Sequence, residues 1–304
     1  MEAARVVQVD GFRMDFGDKT VIRDLSFDVR RGETFGFLGS NGCGKTTTIR
    51  ALLGIYTPTA GTLLIDGQPF SPARGRSLGY LPEERGLYKK ERVIDIMTYF
   101  GKLKGLTAPA AKSWSMGYLD RVGMADKASV RLERCSGGQQ QKVQLGVTIM
   151  GEPDLLILDE PTKGFDPVNR HLLMTIIDEQ KEAGATVVMV THQMDEVERV
   201  CDRVLLLRDG VAHAYGTVAD VQEQFGGTTV KLSHTGTLPA LPQHRVLADD
   251  GAGHVELALA AGTDPAALLR ALVDAGAGVA AFTPSRRSLE SIFIEVYGAH
   301  PEED

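Results

Sequence analysis

The sequence GSNGCGKTT, from Gly39 to Thr47, decides the fold of this chain. It fits the pattern G-x-x-x-x-G-K-[ST], and it lies between the buried-strand pattern TFGFLGS and the helical pattern KTTTIRALLG. A strand, a glycine-rich loop and a helix in this order direct backbone N–H groups and the positive end of the helix at one point. The stretch therefore predicts a loop that binds the phosphate groups of a nucleotide.

The side chains of this loop have separate expected roles. Lys45 would reach the β- and γ-phosphates, and the Thr46 hydroxyl would bind Mg²⁺. The remaining loop residues would surround the phosphates, namely Gly39, Ser40, Asn41, Gly42, Cys43, Gly44 and Thr47. The alternative is a chance glycine-rich turn, against which the filled pattern and its strand and helix flanks argue.

Two later apolar stretches predict the strands that accompany this loop. DLLILDE spans Asp154 to Glu160, and ATVVMVTH spans Ala185 to His192. Strands of a parallel sheet are buried on both faces, so they read as continuous apolar runs. Helical spacing in the intervening VNRHLLMTIIDEQKEAG indicates a strand–helix–strand order. We therefore predict an α/β layer whose strands end at one shared edge.

Polar residues at this edge are candidates for catalysis together with Lys45. Asp159 is suited to hold Mg²⁺ directly or through water. Glu160 can accept a hydrogen bond from a water aimed at the γ-phosphate, and His192 would bridge that phosphate and Glu160. Alone, Glu160 would read as an exposed acidic residue ending a strand, and a lone histidine is more often structural. A complete phosphate loop beside them favours the catalytic interpretation.

The outer parts of the chain have other patterns. The stretches VVQVDGF and SFDVRRGE predict half-exposed antiparallel strands, and the segment from about Lys90 to Gly123 predicts a helical insertion. A helix, VADVQEQFGG, runs into a glycine break near Gly226. Beyond it we predict strands in TVKLS, HVELALA and GVAAFT and helices in DPAALLRALVDAG and SLESIFIEVYG. These elements predict a small α+β domain.

In this order, GSNGCGKTT, CSGGQ, LLILDE, the aspartate of GFD and VTH resemble the motifs of the ATP-binding cassette (ABC) family. The resemblance covers roughly residues 5 to 220. It implies an α/β P-loop NTPase cassette with a RecA-like core, an antiparallel β subdomain and a helical subdomain at about residues 90–150. We expect this cassette at residues 1–226, followed by the accessory α+β domain at residues 227–304. The resemblance also implies that the chain binds ATP and Mg²⁺ and hydrolyses ATP.

The same resemblance assigns a role to CSGGQQQK, from Cys135 to Lys142. In this family two cassettes pack head to tail, and the signature motif of one closes over the ATP of the other. Ser136, Gly137 and Gly138 would contact the γ-phosphate bound by the partner, with Gln139 at the border. The start of a helix suits an anion, which fits this arrangement. The resemblance thus predicts a homodimer with two shared ATP sites.

Two further positions carry over from the family one at a time. Phe16, in MDFGDKTV, matches the aromatic residue that stacks on adenine, although without the family a core phenylalanine on a strand would be favoured. Asp166, in GFD, matches a loop that acts across the dimer interface. An N-cap for a helix opening at Pro167 is an equally good reading of Asp166, and both can hold.

The sequence departs from the family pattern at two places. Cys135 stands where leucine is usual, and a buried cysteine behaves as a small hydrophobe. Glu83, in GYLPEERGLY, stands where the family has a glutamine that senses Mg²⁺ and the membrane partner. A carboxylate can still bind Mg²⁺, so Glu83 is a candidate metal ligand, and Arg85 is a candidate to offset its charge.

GYLPEERGLYKK and SLESIFIEVYG resemble the separate ATP-binding subunits of ABC-2-type exporters, which include drug-resistance and sodium-export subunits. This resemblance implies a separate transmembrane permease as partner and a peripheral position on the cytoplasmic face of the cell membrane. The permease would dock on the helical insertion and the adjacent Glu83 loop. The accessory domain would support the dimer, regulate it or simply cap the cassette.

The composition fits this class better than its rivals. Acidic residues outnumber basic ones 40 to 33, which argues against nucleic acid as a partner. We expect no signal peptide, no membrane span and reduced cysteines. The alternative is a soluble ABC ATPase acting on ribosomes or DNA. Ribosome-acting members usually carry two cassettes, and DNA-repair relatives carry long coiled coils that are not evident between Gly54 and Arg134.

Overall fold

The computed structural model of the chain describes residues 4–72, 75, 77–84, 86–225, 228–260 and 262–298. Arg85 and Gly226, which entered the sequence predictions, lie outside the described residues. The chain forms two compact units. The first comprises Met1–Gln193 with Arg199–Tyr215, and the second comprises Met194–Glu198 with Gly216–Asp304. The division at residue 226 made from sequence stays a proposal.

Five parallel strands form the centre of the first unit, in the spatial order β8-β3-β7-β6-β5. Their bounds are β3 Thr34–Leu38, β5 Leu78–Leu81, β6 Leu155–Asp159, β7 Thr186–Thr191 and β8 Arg203–Arg208. Every residue of β3, β6 and β7 is buried, as expected for parallel strands covered on both faces. The strand predictions for these three stretches are confirmed.

Four more strands extend the sheet to nine, in the order β4-β1-β2-β9 beside β8. Their bounds are β1 Arg5–Phe16, β2 Lys19–Arg30, β4 Ala60–Ile65 and β9 Val211–Thr217. Strand β1 pairs antiparallel with both β2 and β4, which confirms the predicted antiparallel layer. Phe12, Phe27, Phe35, Phe37 and Ile49 belong to one buried cluster, so this layer, strand β3 and the first helix share a core.

Five α-helices of the described chain belong to the first unit, and a sixth, α6, is divided between the two units. Their bounds are α1 Lys45–Leu52, α2 Val93–Leu103, α3 Ala108–Arg121, α4 Gly137–Ile149, α5 Pro167–Glu182 and α6 Met194–Val200. Helices α2 and α3 confirm the predicted helical insertion. At Gly101 of α2 a Cβ would lie 2.6 Å from the Cβ of Ala111 on α3. Only glycine therefore permits this close packing of the two helices.

The second unit contains a four-stranded antiparallel sheet in the order β11-β12-β10-β13. Its elements are α7 Val218–Gln224, β10 Thr228–Thr235, β11 His244–Asp249, β12 His254–Leu259, α8 Pro265–Asp274, β13 Gly278–Arg286 and α9 Leu289–Tyr297. Leu268 and Leu272 of α8 pack with Val230, Leu232 and Leu257 of the sheet in a separate core. The predicted fold class, an α/β cassette followed by a small α+β domain, is confirmed.

No helix among the described residues combines the length and the apolar character that crossing a bilayer requires.

Candidate nucleotide-binding site

A cavity of about 270 Å³ opens where the phosphate loop meets the carboxyl ends of the parallel strands. Its lining residues are Asn41, Gly42, Gly44, Lys45, Thr46, Thr47, Glu83, Asp159, Glu160 and Lys163. The phosphate loop, the candidate metal ligands and the candidate base are far apart in the sequence, yet all of them line this cavity. Lys163 in this lining was not singled out from the sequence.

The phosphate loop ends at the N-terminus of α1, where Gly44 occupies the N-cap position. Its φ of 112° lies in the region that favours glycine, and a Cβ there would lie 2.4 Å from Cδ1 of Ile22. The buried Lys45 ammonium donates to the carbonyl oxygens of Gly39 at 2.7 Å and Ser40 at 3.0 Å. The Lys45 ammonium group is thus held by carbonyl groups of its own loop, next to the N-terminus of α1.

Thr46 and Asp159 form a pair of oxygen donors at the base of the cavity. The Thr46 hydroxyl donates to Oδ2 of Asp159 at 3.2 Å, and Asp159 is only 2% exposed. Burial raises the pKa of Asp159 to about 6, because a charged carboxylate loses hydration there, and the carboxylates of Glu83 and Glu160 add to the shift. A bound cation would offset this cost.

The donor set suits a hard cation such as Mg²⁺, which prefers oxygen ligands and keeps several of them from water or phosphate. Among the described residues, no group of three His, Cys, Asp or Glu side chains converges as a complete metal site. Thr46 and Asp159 are residues of the cavity whose oxygens could contribute ligands to such an ion.

Glu160 follows β6 with a backbone φ of 48°, which is unusual for a residue with a side chain. Its N–H donates to the carbonyl of Val190 at 2.8 Å, so the residue remains attached to strand β7. Oε1 lies 2.8 Å from Nδ1 of His192, and Oε2 accepts from the Thr191 hydroxyl at 3.5 Å. The carboxylate is 6% exposed and is held in a fixed orientation beside the phosphate loop.

Glu83 lines the same cavity but pairs with Lys163, whose Nζ lies 2.6 Å from Oε1. Both side chains are substantially exposed. No hydrogen bond joins Glu83 to Thr46 or Asp159 among the described contacts. Lys163 therefore supplies a positive charge to the carboxylate that replaces the expected glutamine.

The signature residues form the start of α4. Ser136 is the N-cap: its Oγ accepts from the Gln139 N–H at 3.3 Å, and its own N–H donates to Oε1 of Gln139 at 2.9 Å. This reciprocal pair is a capping box, which orders the helix start. None of Ser136, Gly137, Gly138 and Gln139 is in the described lining of the cavity. The motif and the phosphate loop of one chain are thus separate.

Cys135 is 6% exposed, and burial raises the pKa of its thiol. Burial also raises the pKa of Cys43 in the phosphate loop. A raised pKa keeps both as neutral thiols, so each serves as a small apolar side chain. This agrees with Cys135 in the position of an apolar leucine.

Phe16 and Asp166 lie outside the described lining of the cavity. The Phe16 ring, 45% exposed at the end of β1, contacts Tyr56 edge to face with centroids 5.4 Å apart, so it is not a core residue. Asp166 is the N-cap of α5 and accepts from the N–H groups of Val168 at 3.0 Å and Asn169 at 2.9 Å. These bonds, led by that of Asn169, lower the pKa of Asp166.

Comparison with known proteins identifies the two parts of the chain. A family model described as ABC transporter matches residues 22–163, and one described as ATP-binding protein DrrA1-3-like, C-terminal domain, matches residues 216–297. An ABC transporter ATP-binding protein of Bacillus subtilis, YhaQ, is 33% identical over 97% of this chain and 99% of its own. The linearmycin resistance ATP-binding protein LnrL of Bacillus subtilis is 33% identical over 74% of this chain and 73% of its own.

A solved structure, "Structure of ATP binding subunit of ABC transporter", agrees in fold. The match covers 72% of this chain and 93% of the chain in that structure, with a TM-score of 0.67 and 31% sequence identity. Sequence, fold and cavity thus point to one family. The chain belongs to the ATP-binding proteins of ABC transporters and carries a DrrA-like C-terminal domain.

Proposed function

We propose that this protein is the ATP-hydrolysing subunit of an ABC export system, acting as a head-to-tail dimer on a separate permease. The observation that carries the proposal is the contact of His192 with Glu160, a carboxylate that lines the cavity together with Lys45, Thr46 and Asp159. A base held by a histidine beside a phosphate loop is an arrangement for hydrolysis, beyond what nucleotide binding alone requires.

The residues of the cavity divide the work of hydrolysis. The loop N–H groups and the N-terminus of α1 bind the phosphates, and Lys45 transfers its donors from loop carbonyls to phosphate oxygens. Thr46 and Asp159 would hold Mg²⁺, with Glu83 as a further candidate ligand. When bound, the ion neutralises charge on the phosphate oxygens. Glu160 orients the attacking water, and His192 fixes Glu160 and contacts the γ-phosphate.

The signature residues and Asp166 act across a dimer in this proposal. Support comes from the separation of Ser136 from the cavity of its own chain and from its place at the ordered start of α4. Gly137 and Gly138 have no Cβ, so their N–H groups can approach a phosphate of the partner's ATP. Asp166 would act across the same interface, and Phe16 would stack on adenine.

The permease would dock on exposed apolar side chains of the helical insertion and of the adjacent Glu83 loop. Tyr88 is 57% exposed, Tyr99 45% and Leu103 55%, and the Tyr88 ring packs edge to face on Tyr99. Exposed apolar groups that contact one another are typical of interaction sites. The binding of ATP would close the dimer and pull on the permease, and hydrolysis would reopen it. The protein would lie peripherally on the cytoplasmic face of the membrane.

The proposal of export rests on the names of relatives. One is the linearmycin resistance protein LnrL, and another is the Nod factor export ATP-binding protein I of Ralstonia nicotianae, 36% identical over 78% of this chain and 74% of its own length. The cargo would be selected by the permease. The rival, a soluble ATPase acting on ribosomes or nucleic acid, has no specific support in the fold. Copurification from native membranes separates the two: a polytopic partner supports export, whereas ribosomes or DNA support the rival.

A mixing experiment tests the shared site. Lys45→Ala and Ser136→Arg each damage every pocket of a homodimer, because each pocket takes Lys45 from one chain and Ser136 from the other. Mixing the two variants should restore about a quarter of the pockets, since half of randomly formed dimers carry one intact pocket of two. ATPase activity that fails to recover on mixing, or full activity of Ser136→Arg alone, would contradict the shared site.

A further inference from the structure

A buried glutamine of α4 contacts the turn that carries Glu160. Gln141 is 9% exposed, and its Nε2 donates to the carbonyl of Pro161 at 2.7 Å. The same nitrogen lies 3.5 Å from the carbonyl of Glu160, a weaker contact. This hydrogen bond stabilises the fold, because a buried carbonyl or amide group without a hydrogen-bond partner would be destabilising.

The turn needs restraint because its backbone is unusual. The φ of 48° at Glu160 lies in the left-handed region, which L-residues adopt at a cost in free energy. One side of the turn is tied to β7 through the Glu160 N–H and the Val190 carbonyl, at 2.8 Å. Gln141 ties the other side to α4. Loss of the Gln141 amide would leave the Pro161 carbonyl free to rotate and would let the Glu160 carboxylate move.

We infer that Gln141 is a positioning residue for hydrolysis, which holds the backbone of Glu160 so that its carboxylate faces the attacking water. The inference rests on the proposed hydrolytic function and adds to it a residue that is absent from the described lining of the cavity. It also gives α4 two tasks, because Ser136 caps the start of this helix. Helix α4, which is proposed to contact the ATP of the partner, therefore also holds Glu160, the base that acts on the ATP bound by its own chain.

Other contacts of α4 lie farther from the base and supply a control. The Thr148 hydroxyl, also buried, shares its proton between the carbonyl of Gln144 on α4, at 2.9 Å, and the carbonyl of Tyr80 on strand β5, at 3.3 Å. Thr148→Val removes the hydroxyl with both contacts and nearly keeps the side-chain volume. It therefore reports what the loss of one buried hydroxyl of α4 does to stability, without disturbing the turn at Glu160.

The test compares Gln141→Met with Thr148→Val in the full chain. Methionine nearly matches glutamine in shape but cannot donate a hydrogen bond. We expect Gln141→Met to lower kcat about 10- to 100-fold, since small displacements of a catalytic group have effects of this size. The Kd for ATP should stay within about twofold of wild type, because Gln141 is absent from the described cavity lining. Rates are normalised to ATP-bound protein, so partial unfolding does not imitate the effect.

Thr148→Val should lower Tm about as much as Gln141→Met does, while its kcat stays within about twofold of wild type. Adding Gln141→Met to Glu160→Gln should give no further loss, because the base that Gln141 positions is already gone. Wild-type kcat in Gln141→Met, or equal losses in kcat and ATP affinity, would overturn the inference. Wild-type turnover in Glu160→Gln alone would instead overturn the proposed function, so the two failures are distinguishable.

Discussion

Nδ1 of His192 lies 2.8 Å from Oε1 of Glu160, although the two residues are 32 positions apart. The pairing of β6 with β7 explains the contact: Asp159 stands opposite Val190, so the residues that follow each strand leave the sheet together. Because parallel strands end at one edge, the sheet register brings the histidine to the carboxylate. The orientation of the proposed base thus depends on strand pairing as much as on its neighbours.

Replacement of Glu160 tests the proposed base. Glu160→Gln should bind ATP with near-wild-type affinity but lower kcat at least about 100-fold, because an amide orients and polarises water poorly. A variant that binds ATP without hydrolysing it should accumulate as a stable dimer. Phosphate release at saturating MgATP and light scattering after size exclusion measure these two effects.

The control for Glu160→Gln is Glu182→Gln, which makes the same change at the exposed end of α5. It should leave turnover and dimerisation as in wild type. Wild-type turnover in Glu160→Gln would show that the role proposed for this carboxylate is wrong.

Replacement of His192 tests the contact itself. His192→Ala removes the hydrogen bond to Oε1 of Glu160, and we expect kcat to fall about 10- to 100-fold as the carboxylate loses its orientation. His192→Gln retains a donor and should keep more of the activity than alanine. Steady-state kinetics separate the parameters, and a change confined to KM would mean that His192 only binds nucleotide.

Replacement of Glu83 tests the position where the family has glutamine. Glu83→Gln should retain most ATPase activity, because Oε1 of Glu83 pairs with exposed Lys163 and no described hydrogen bond joins it to Thr46 or Asp159. Exposed pairs of this kind contribute about 1 kcal/mol or less. The measurement is kcat across a Mg²⁺ titration, with Lys163→Met as the matched change on the other partner. Loss of nearly all turnover in Glu83→Gln would mean that this carboxylate has a role of its own.

Parts of the fold with strong apolar runs could be predicted from sequence, and other parts could not. Strands β3 and β6 are buried throughout and were predicted. Strand β8, RVLLLR, has a similar apolar run and was detectable, although it was not predicted. Strand β5 has only four residues, one of them a glycine, and none of the six residues of β11 is buried. The hydrophobic pattern of these two segments therefore does not distinguish them from loops.

The site divides in the same way. Asp159, Glu160 and His192 could be placed together because Asp159 ends one recognisable buried strand, Glu160 follows it, and His192 follows the neighbouring strand of the same sheet. Gln141 and Lys163 were not singled out as site residues, because their contacts join distant segments that no local pattern links. The exposure of the Phe16 ring likewise depends on its position as the last residue of strand β1. Residues that act through backbone carbonyls leave little trace in the sequence.

Stability should depend on pH through Lys104, which follows α2. Its Nζ donates to the carbonyls of Thr148 at 2.6 Å and Met150 at 2.8 Å, at the C-terminal end of α4. Burial lowers the pKa of this ammonium from 10.5 to about 8. Both the charged and the neutral amine can donate to the two carbonyls, so the shift reflects the cost of burying the charge.

Between pH 8 and 10.5 the unfolded chain holds the Lys104 proton more often than the folded chain. The free energy of unfolding should therefore rise with pH across this window and be unaffected by Lys104 below it. Relative to Lys104→Met, wild type should gain roughly 1 kcal/mol per pH unit between pH 8 and 10. Urea unfolding at each pH measures this difference, in which tyrosine titrations cancel. The exposed Lys102→Met control should show no such trend, and a difference that stays flat or falls with pH would refute the assignment.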